Sequence, residues 1–279
     1  MQQTISAVTS QAIHTAVTTI YKSKIARLAA LGCAVAKTPQ IIGHCIGSCP
    51  MNLQDIRVCE NSRNMVIYVH SFAPANITAQ VKQQAQDLER LYPQDYSIRT
   101  FNFADARGNF SYANLAQKRD IMRLKEVIER TPATITNLEL HGVSRGTSTI
   151  INTIGMYPEL IAKYYIKAII LDSPFADPHM LINHQTARAF GPAHNIPGIP
   201  LLSRCLVRTF FLQDLKAYGV TPLASLQKIS TTLPILHMYS EDDRVVPVEH
   251  GNMLLEAFRE KHIHYQRVLI GHGLHCSQT

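Results

Sequence analysis

None of the six cysteines in this 279-residue chain forms a Cys-x-x-Cys pair or sits at metal-ligand spacing, which removes the usual cysteine signatures of a structural metal or a redox dithiol. The one close pair, Cys45 and Cys49, would bridge only in an exported protein, and free buried thiols are the preferred reading. No apolar run is long enough to cross a bilayer: Ile25 to Ala36, interrupted by Arg27, falls short. The net charge of +7 has no basic block behind it, because Lys22, Lys24, Arg27, Lys118, Arg119, Arg204 and Lys261 are scattered. With no aromatic-rich basic strand either, nucleic-acid binding is not expected. Attraction to an anionic membrane surface is the minor alternative. Repeats and low-complexity tracts are also missing.

What is present suits one large α/β domain with a small appendage, since a hydrophobic content of 46% supplies a sizeable core. Met1 to about Pro50 stands apart as a helical extension, with helical character over Ile13 to Ala36. Lys22, Lys24 and the later Ala34-Val35-Ala36 imitate a late signal peptide, but an amphipathic or core-capping helix is preferred. The expectation is that residues 1–50 pack on the domain or touch a membrane peripherally, with residues 51–279 as the main domain. A cytoplasmic location is favoured over a secreted or membrane-peripheral one.

From residue 51 the pattern alternates strand and helix, which predicts a mostly parallel sheet with helices on both faces. Strands are expected over Ile56–Cys59, Met65–Val69, Tyr96–Phe103, Lys167–Leu171, Pro234–Tyr239 and Tyr265–Ile270. Helical spacing covers Ile77–Leu91, Gln117–Arg130, Thr147–Met156 and Val248–Lys261. The rhythm breaks between about Ala176 and Val220, where prolines at 178, 192, 197 and 200 suggest an inserted lid.

The most informative stretch is Leu138-Glu139-Leu140-His141-Gly142-Val143-Ser144-Arg145-Gly146. A strand runs straight into Gly-x-Ser-x-Gly and then into a helix, which puts Ser144 on a sharp turn with its hydroxyl lifted clear of the sheet. The N–H of Arg145 is then free to meet a carbonyl oxygen. A serine nucleophile needs an imidazole as base and a carboxylate to orient it. In chain order these follow at later strand ends. Ser240-Glu241-Asp242-Asp243-Arg244-Val245-Val246-Pro247 closes one strand, and Gly271-His272-Gly273-Leu274-His275 follows the last.

From about Ile56 onward the chain resembles the α/β-hydrolase-fold serine hydrolases, near their lipase, esterase and acyl-peptidase branches. The elbow around Ser144, Leu171-Asp172-Ser173-Pro174-Phe175 and Asp243-Arg244-Val245-Val246-Pro247 carry the resemblance. It implies Asp243 and not Asp242 as the acid, because that family's acid precedes such a Val-Val-Pro run. It favours His275 over His272, because a short glycine-rich loop usually separates the last strand from the base. It implies an oxyanion hole from the backbone N–H groups of Arg145 and Phe72, with Ser71 where the family usually has glycine. No cofactor and no metal is implied.

The implied activity is cleavage of a carboxylic ester or thioester through an acyl-enzyme, on a small-molecule or lipid-like substrate. A peptidase of the same fold, or a binding protein that keeps the scaffold without catalysis, are the alternatives. Apolar residues of the insertion, among them Leu181, Ile182, Phe190, Phe210 and Phe211, could line an acyl pocket or simply pack the insertion down. The Arg145 side chain is expected either to point to solvent or to favour an anionic substrate group. His141 and His237, in strands, are expected to be hydrogen-bonded core residues.

Overall fold

The computed structural model describes residues 53–71, 83–84, 86–103, 106–107, 110–111, 115–191, 198, 220–271 and 275. The expected extension over residues 1–50 and the Cys45–Cys49 pair lie outside the described residues.

Runs rich in β-branched and aliphatic residues form the middle of the sheet, as expected for strands buried on both faces. The strands are β1 (Leu53–Arg57), β2 (Asn64–Val69), β3 (Tyr96–Phe101), β6 (Asn137–Val143), β7 (Ile166–Asp172), β8 (Ile235–Ser240) and β9 (Tyr265–Ile270). They lie in the order β1-β3-β2-β6-β7-β8-β9. Every pairing is parallel except β1 with β3. Two-residue strands β4 (Ala106–Arg107) and β5 (Phe110–Ser111) pair separately. The first strand lies earlier than the expected Ile56–Cys59, because its register with β3 shifts between Asp55 and Arg57 and the chain leaves the sheet. Likewise β3 stops at Phe101, two residues short of the expected end, and Phe103 beyond it is buried beside His70 and Arg145.

Helices α1 (Lys118–Glu129), α2 (Arg145–Met156), α3 (Glu159–Lys163), α4 (Pro178–Phe190), α5 (Pro222–Leu226) and α6 (Val248–Glu260) complete the described elements. Leu124, Val127 and Ile128 of α1, Ile150 and Ile154 of α2, and Leu254 and Phe258 of α6 join Leu138, Leu140, Ile169 and Ile235 in one core on one face of the sheet. Of the expected 77–91 helix, residues 83–84 and 86–89 are helical and described. Leu88 packs on Tyr68 and Val143 of the other face. The expected insertion begins with α4, whose start is fixed by the Asp177 carboxylate accepting from the N–H groups of His179 and Met180. Leu181 and Ile182 of that helix pack with Phe175 and Val246. Residues 192–197 and 199–219 lie outside the described residues.

Of the two core histidines, His141 is hydrogen-bonded as expected and His237 is not. The His141 Nδ1 meets the Tyr92 hydroxyl at 3.3 Å, but neither ring nitrogen of His237 has a hydrogen-bond partner among the described residues. Its ring packs as an aromatic one, 5.1 Å from Tyr239 and 5.7 Å from Phe258 between centroids. Burial pushes His70 and His237 down to about 3, and His141 and His250 down to about 4, from 6.5.

These shifts set an acid limit. In the unfolded chain all four imidazoles take up protons as pH falls through about 6.5, whereas the folded chain keeps them neutral to much lower pH. Their stabilisation is therefore complete above that pH and is lost on acidification. Asp172 works the other way, because burial raises it from 3.8 to about 6. Four groups against one leave the unfolded state binding about three more protons near pH 5, so stability should fall by about 4 kcal/mol per pH unit there. Urea denaturation between pH 7 and 5 measures this, and a flat profile would contradict it.

Candidate active site

Strand β6 delivers Ser144 into a backbone conformation that serine rarely adopts, with φ 51° and ψ −111°. Such geometry costs about 1–3 kcal/mol and persists only where the surroundings over-determine it. Here they do. The Ser144 N–H donates to the Asp172 carbonyl at 2.8 Å, and the Ser144 carbonyl accepts from the Thr147 N–H at 3.0 Å. A Cβ on Gly146 would lie 1.8 Å from the Val69 carbonyl oxygen, and one on Gly142 would lie 2.7 Å from the Thr147 nitrogen. Both glycines are needed for close approach.

The Ser144 hydroxyl lies 2.9 Å from Nε2 of His275, and Nδ1 of the same ring lies 2.7 Å from Oδ2 of Asp243. The other carboxylate oxygen of Asp243 accepts from the Val245 and Val246 N–H groups at 2.8 and 2.9 Å. Burial pushes the Asp243 carboxyl up, but the hydrogen bond and charge of His275 together with those two N–H groups outweigh it. The net pKa lies below the ordinary carboxylate value. Asp242, by contrast, is exposed. The structure thus brings Ser144, His275 and Asp243 together from three strand ends. His272 and Phe72 lie outside the described residues.

Arg145 departs from both expectations for its side chain. It is 1% exposed and points neither to solvent nor into an open site. Its Nε and Nη2 donate to the two Asp120 carboxylate oxygens at 2.8 and 2.6 Å, a two-pronged geometry that suits guanidinium. The Phe103 ring lies 4.1 Å from its Cζ. The Ala116 N–H adds a further donor to Asp120 at 2.9 Å. The physical reason is burial: α2 starts inside the protein, so its first side chain must find a counter-charge. Asp120 was missed in the sequence, yet it sits on the same stripe of α1 as Leu124 and Val127, an odd place for a carboxylate.

Asp172 is the second residue that sequence reasoning left without a role. It is fully buried at the end of β7, accepts from the Ser173 hydroxyl at 2.8 Å, and feels the charges of both His275 and Asp243. Burial is the main cause of its raised pKa, with Asp243 adding and Ser173 and His275 opposing. Among the described residues, no group of three or more His, Cys, Asp or Glu side chains could hold a metal ion. No described helix is long and apolar enough to cross a membrane.

The sequence matches no protein-family model and no curated protein. Solved structures do resemble it. An esterase of Pyrococcus furiosus aligns over 82% of this chain and 85% of its own, with a TM-score of 0.54 and 17% identity. Est1E from Butyrivibrio proteoclasticus, with ferulic acid bound, aligns over 82% and 88% with a TM-score of 0.51 and 17% identity. An acylaminoacyl peptidase of Pyrococcus horikoshii matches over 80% of this chain but only 35% of its own, at a TM-score of 0.52 and 13% identity. With its mostly parallel seven-stranded sheet and these neighbours, the chain has the α/β-hydrolase fold.

Proposed function

We propose that this chain is a serine hydrolase that cleaves a carboxylic ester or thioester through an acyl-enzyme on Ser144. The observation that carries the reading is the hydrogen-bonded chain Ser144–His275–Asp243 on a strained strand-to-helix turn. The His275 Nε2 is within the 2.6–3.2 Å or so that a general base needs, and takes the hydroxyl proton as Oγ attacks the carbonyl carbon. Asp243 holds the Nδ1 proton, so that Nε2 is the basic nitrogen, and it stabilises the imidazolium that forms. The N–H of Arg145, at the start of α2, and that of Phe72 donate hydrogen bonds to the developing oxyanion. His275 then returns the proton to the leaving oxygen or sulfur, and a water activated by the same ring releases the acid.

An ester or thioester is favoured over a peptide because the esterase neighbours are covered over most of their length and the peptidase over a third. Residues from α4 onward, over about 176–220, are the proposed lid. Their apolar side chains would receive the acyl chain of a small-molecule or lipid-like substrate.

Hydrolysis of p-nitrophenyl esters of graded chain length tests the proposal. Ser144→Ala and His275→Ala should reduce turnover to background, and Asp243→Asn should lower it about 10⁴-fold, as a wrong-tautomer variant does. Asp242→Asn and His272→Ala should stay near the parent rate. Full activity in the His275→Ala variant would overturn the assignment of the base.

The Arg145–Asp120 pair generates a separate expectation for stability. Removing one partner leaves the other charge buried alone, which costs about 3–5 kcal/mol. Asp120→Ala should therefore lower the unfolding free energy by that amount in urea denaturation. An Arg145→Met, Asp120→Leu double variant should recover much of it. A loss below about 1 kcal/mol in the single variant would contradict the burial of the pair.

A further inference from the structure

Among the described residues, the two faces of the sheet are unequally covered. Leu140, Ile169, Leu171, Ile235 and Tyr239 are at most 3% exposed beneath α2, α5 and α6. On the opposite face, Ala168 and Ile170 of β7, Leu236 and Met238 of β8, and Val268 of β9 are only half-buried. The register puts them side by side, with Met238 opposite Val268 and Ile170 opposite Leu236. A cavity of about 330 Å³ opens on this side between Tyr92, Glu139, His141, Ile170, Leu236 and Met238. Among the described residues no helix lies over it, although a parallel sheet requires cover on both faces.

We propose that the amino-terminal segment, residues 1–52, docks on this face and supplies the missing layer over β7–β9. Its sequence offers one apolar stripe at helical spacing, Val17, Tyr21, Ile25, Leu28 and Val35, with Lys22, Lys24 and Arg27 between them. Such a stripe matches a half-buried aliphatic strip across three strands. The reach also suffices. Leu53 enters β1 opposite Phe101 at the far edge of the sheet, and β7 and β8 lie four and five strands away. At about 4.8 Å per strand this is roughly 19–24 Å. The 16 residues between Ala36 and Leu53 can span about 50 Å when extended. In this arrangement the extension is part of the folded layer structure, with Lys22 and Arg27 turned outward and Lys24 at the edge of the stripe.

Cross-linking in the full chain tests this. Met238→Cys introduces a thiol on the face, and Leu28→Cys, in a Cys33→Ser background, introduces one on the apolar stripe. A short bismaleimide should join position 238 to position 28 within one molecule, and the product should vanish when position 28 is left as Leu. Val268→Cys carries the same test one strand nearer the edge, should the first variant misfold. Joining to Cys205 would assign the cover to residues 192–219, and a cross-linked dimer would assign it to a second copy. Either result overturns the proposal. So does rapid labelling of position 238 by a bulky maleimide with no cross-link, which would mean an open face.

Discussion

The turn at Ser144 is the constraint on which the rest of the site depends. A non-glycine residue at φ 51° is held only because strands approach without side chains in the way: Gly146 lies against the Val69 and His70 carbonyls, and Gly142 against the start of α2. The same contacts that impose the strain aim the hydroxyl at His275. They also tie the serine to β7, since its N–H is bonded to the Asp172 carbonyl. In the proposed reaction a serine so fixed would lose little entropy on reaching the attacking geometry.

Around this turn the protein buries an unusual amount of charge. Asp120 neutralises Arg145 beneath the helix that begins after Ser144, and Asp243 is held low by His275 and two N–H groups. Asp172 beside them is driven the other way by burial. Two carboxyl groups near one imidazole thus have different preferences. The one bonded to the ring stays ionised, and the desolvated one favours the proton. Below about pH 6 Asp172 takes up a proton while Asp243 stays ionised, so acidification leaves the charge on the carboxylate bonded to His275.

Much of the fold was legible because its signals are local. Continuous apolar runs marked the central strands, and Gly142, Ser144 and Gly146 between a strand and a helix marked the elbow. Asp243 and His275 were legible by resemblance and by their positions at strand ends. What stayed hidden depends on distant packing. The Asp120–Arg145 pair spans 25 residues, and nothing beside Arg145 in sequence says that α2 starts in the interior. His237 looked like a hydrogen-bonded strand residue, but its ring is stacked among aromatic neighbours that come from α6 and from its own strand. Which face of the sheet the described helices cover likewise follows from tertiary packing, and no strand's own sequence records it.

The central claim is that Ser144 forms a covalent acyl intermediate. Rapid acid quenching during turnover of a p-nitrophenyl ester, followed by peptide mass spectrometry, tests it most directly. The account predicts one acyl group per chain, carried on the peptide that contains Ser144. An acyl group on another residue, or turnover with no acylated peptide at any time, would contradict it.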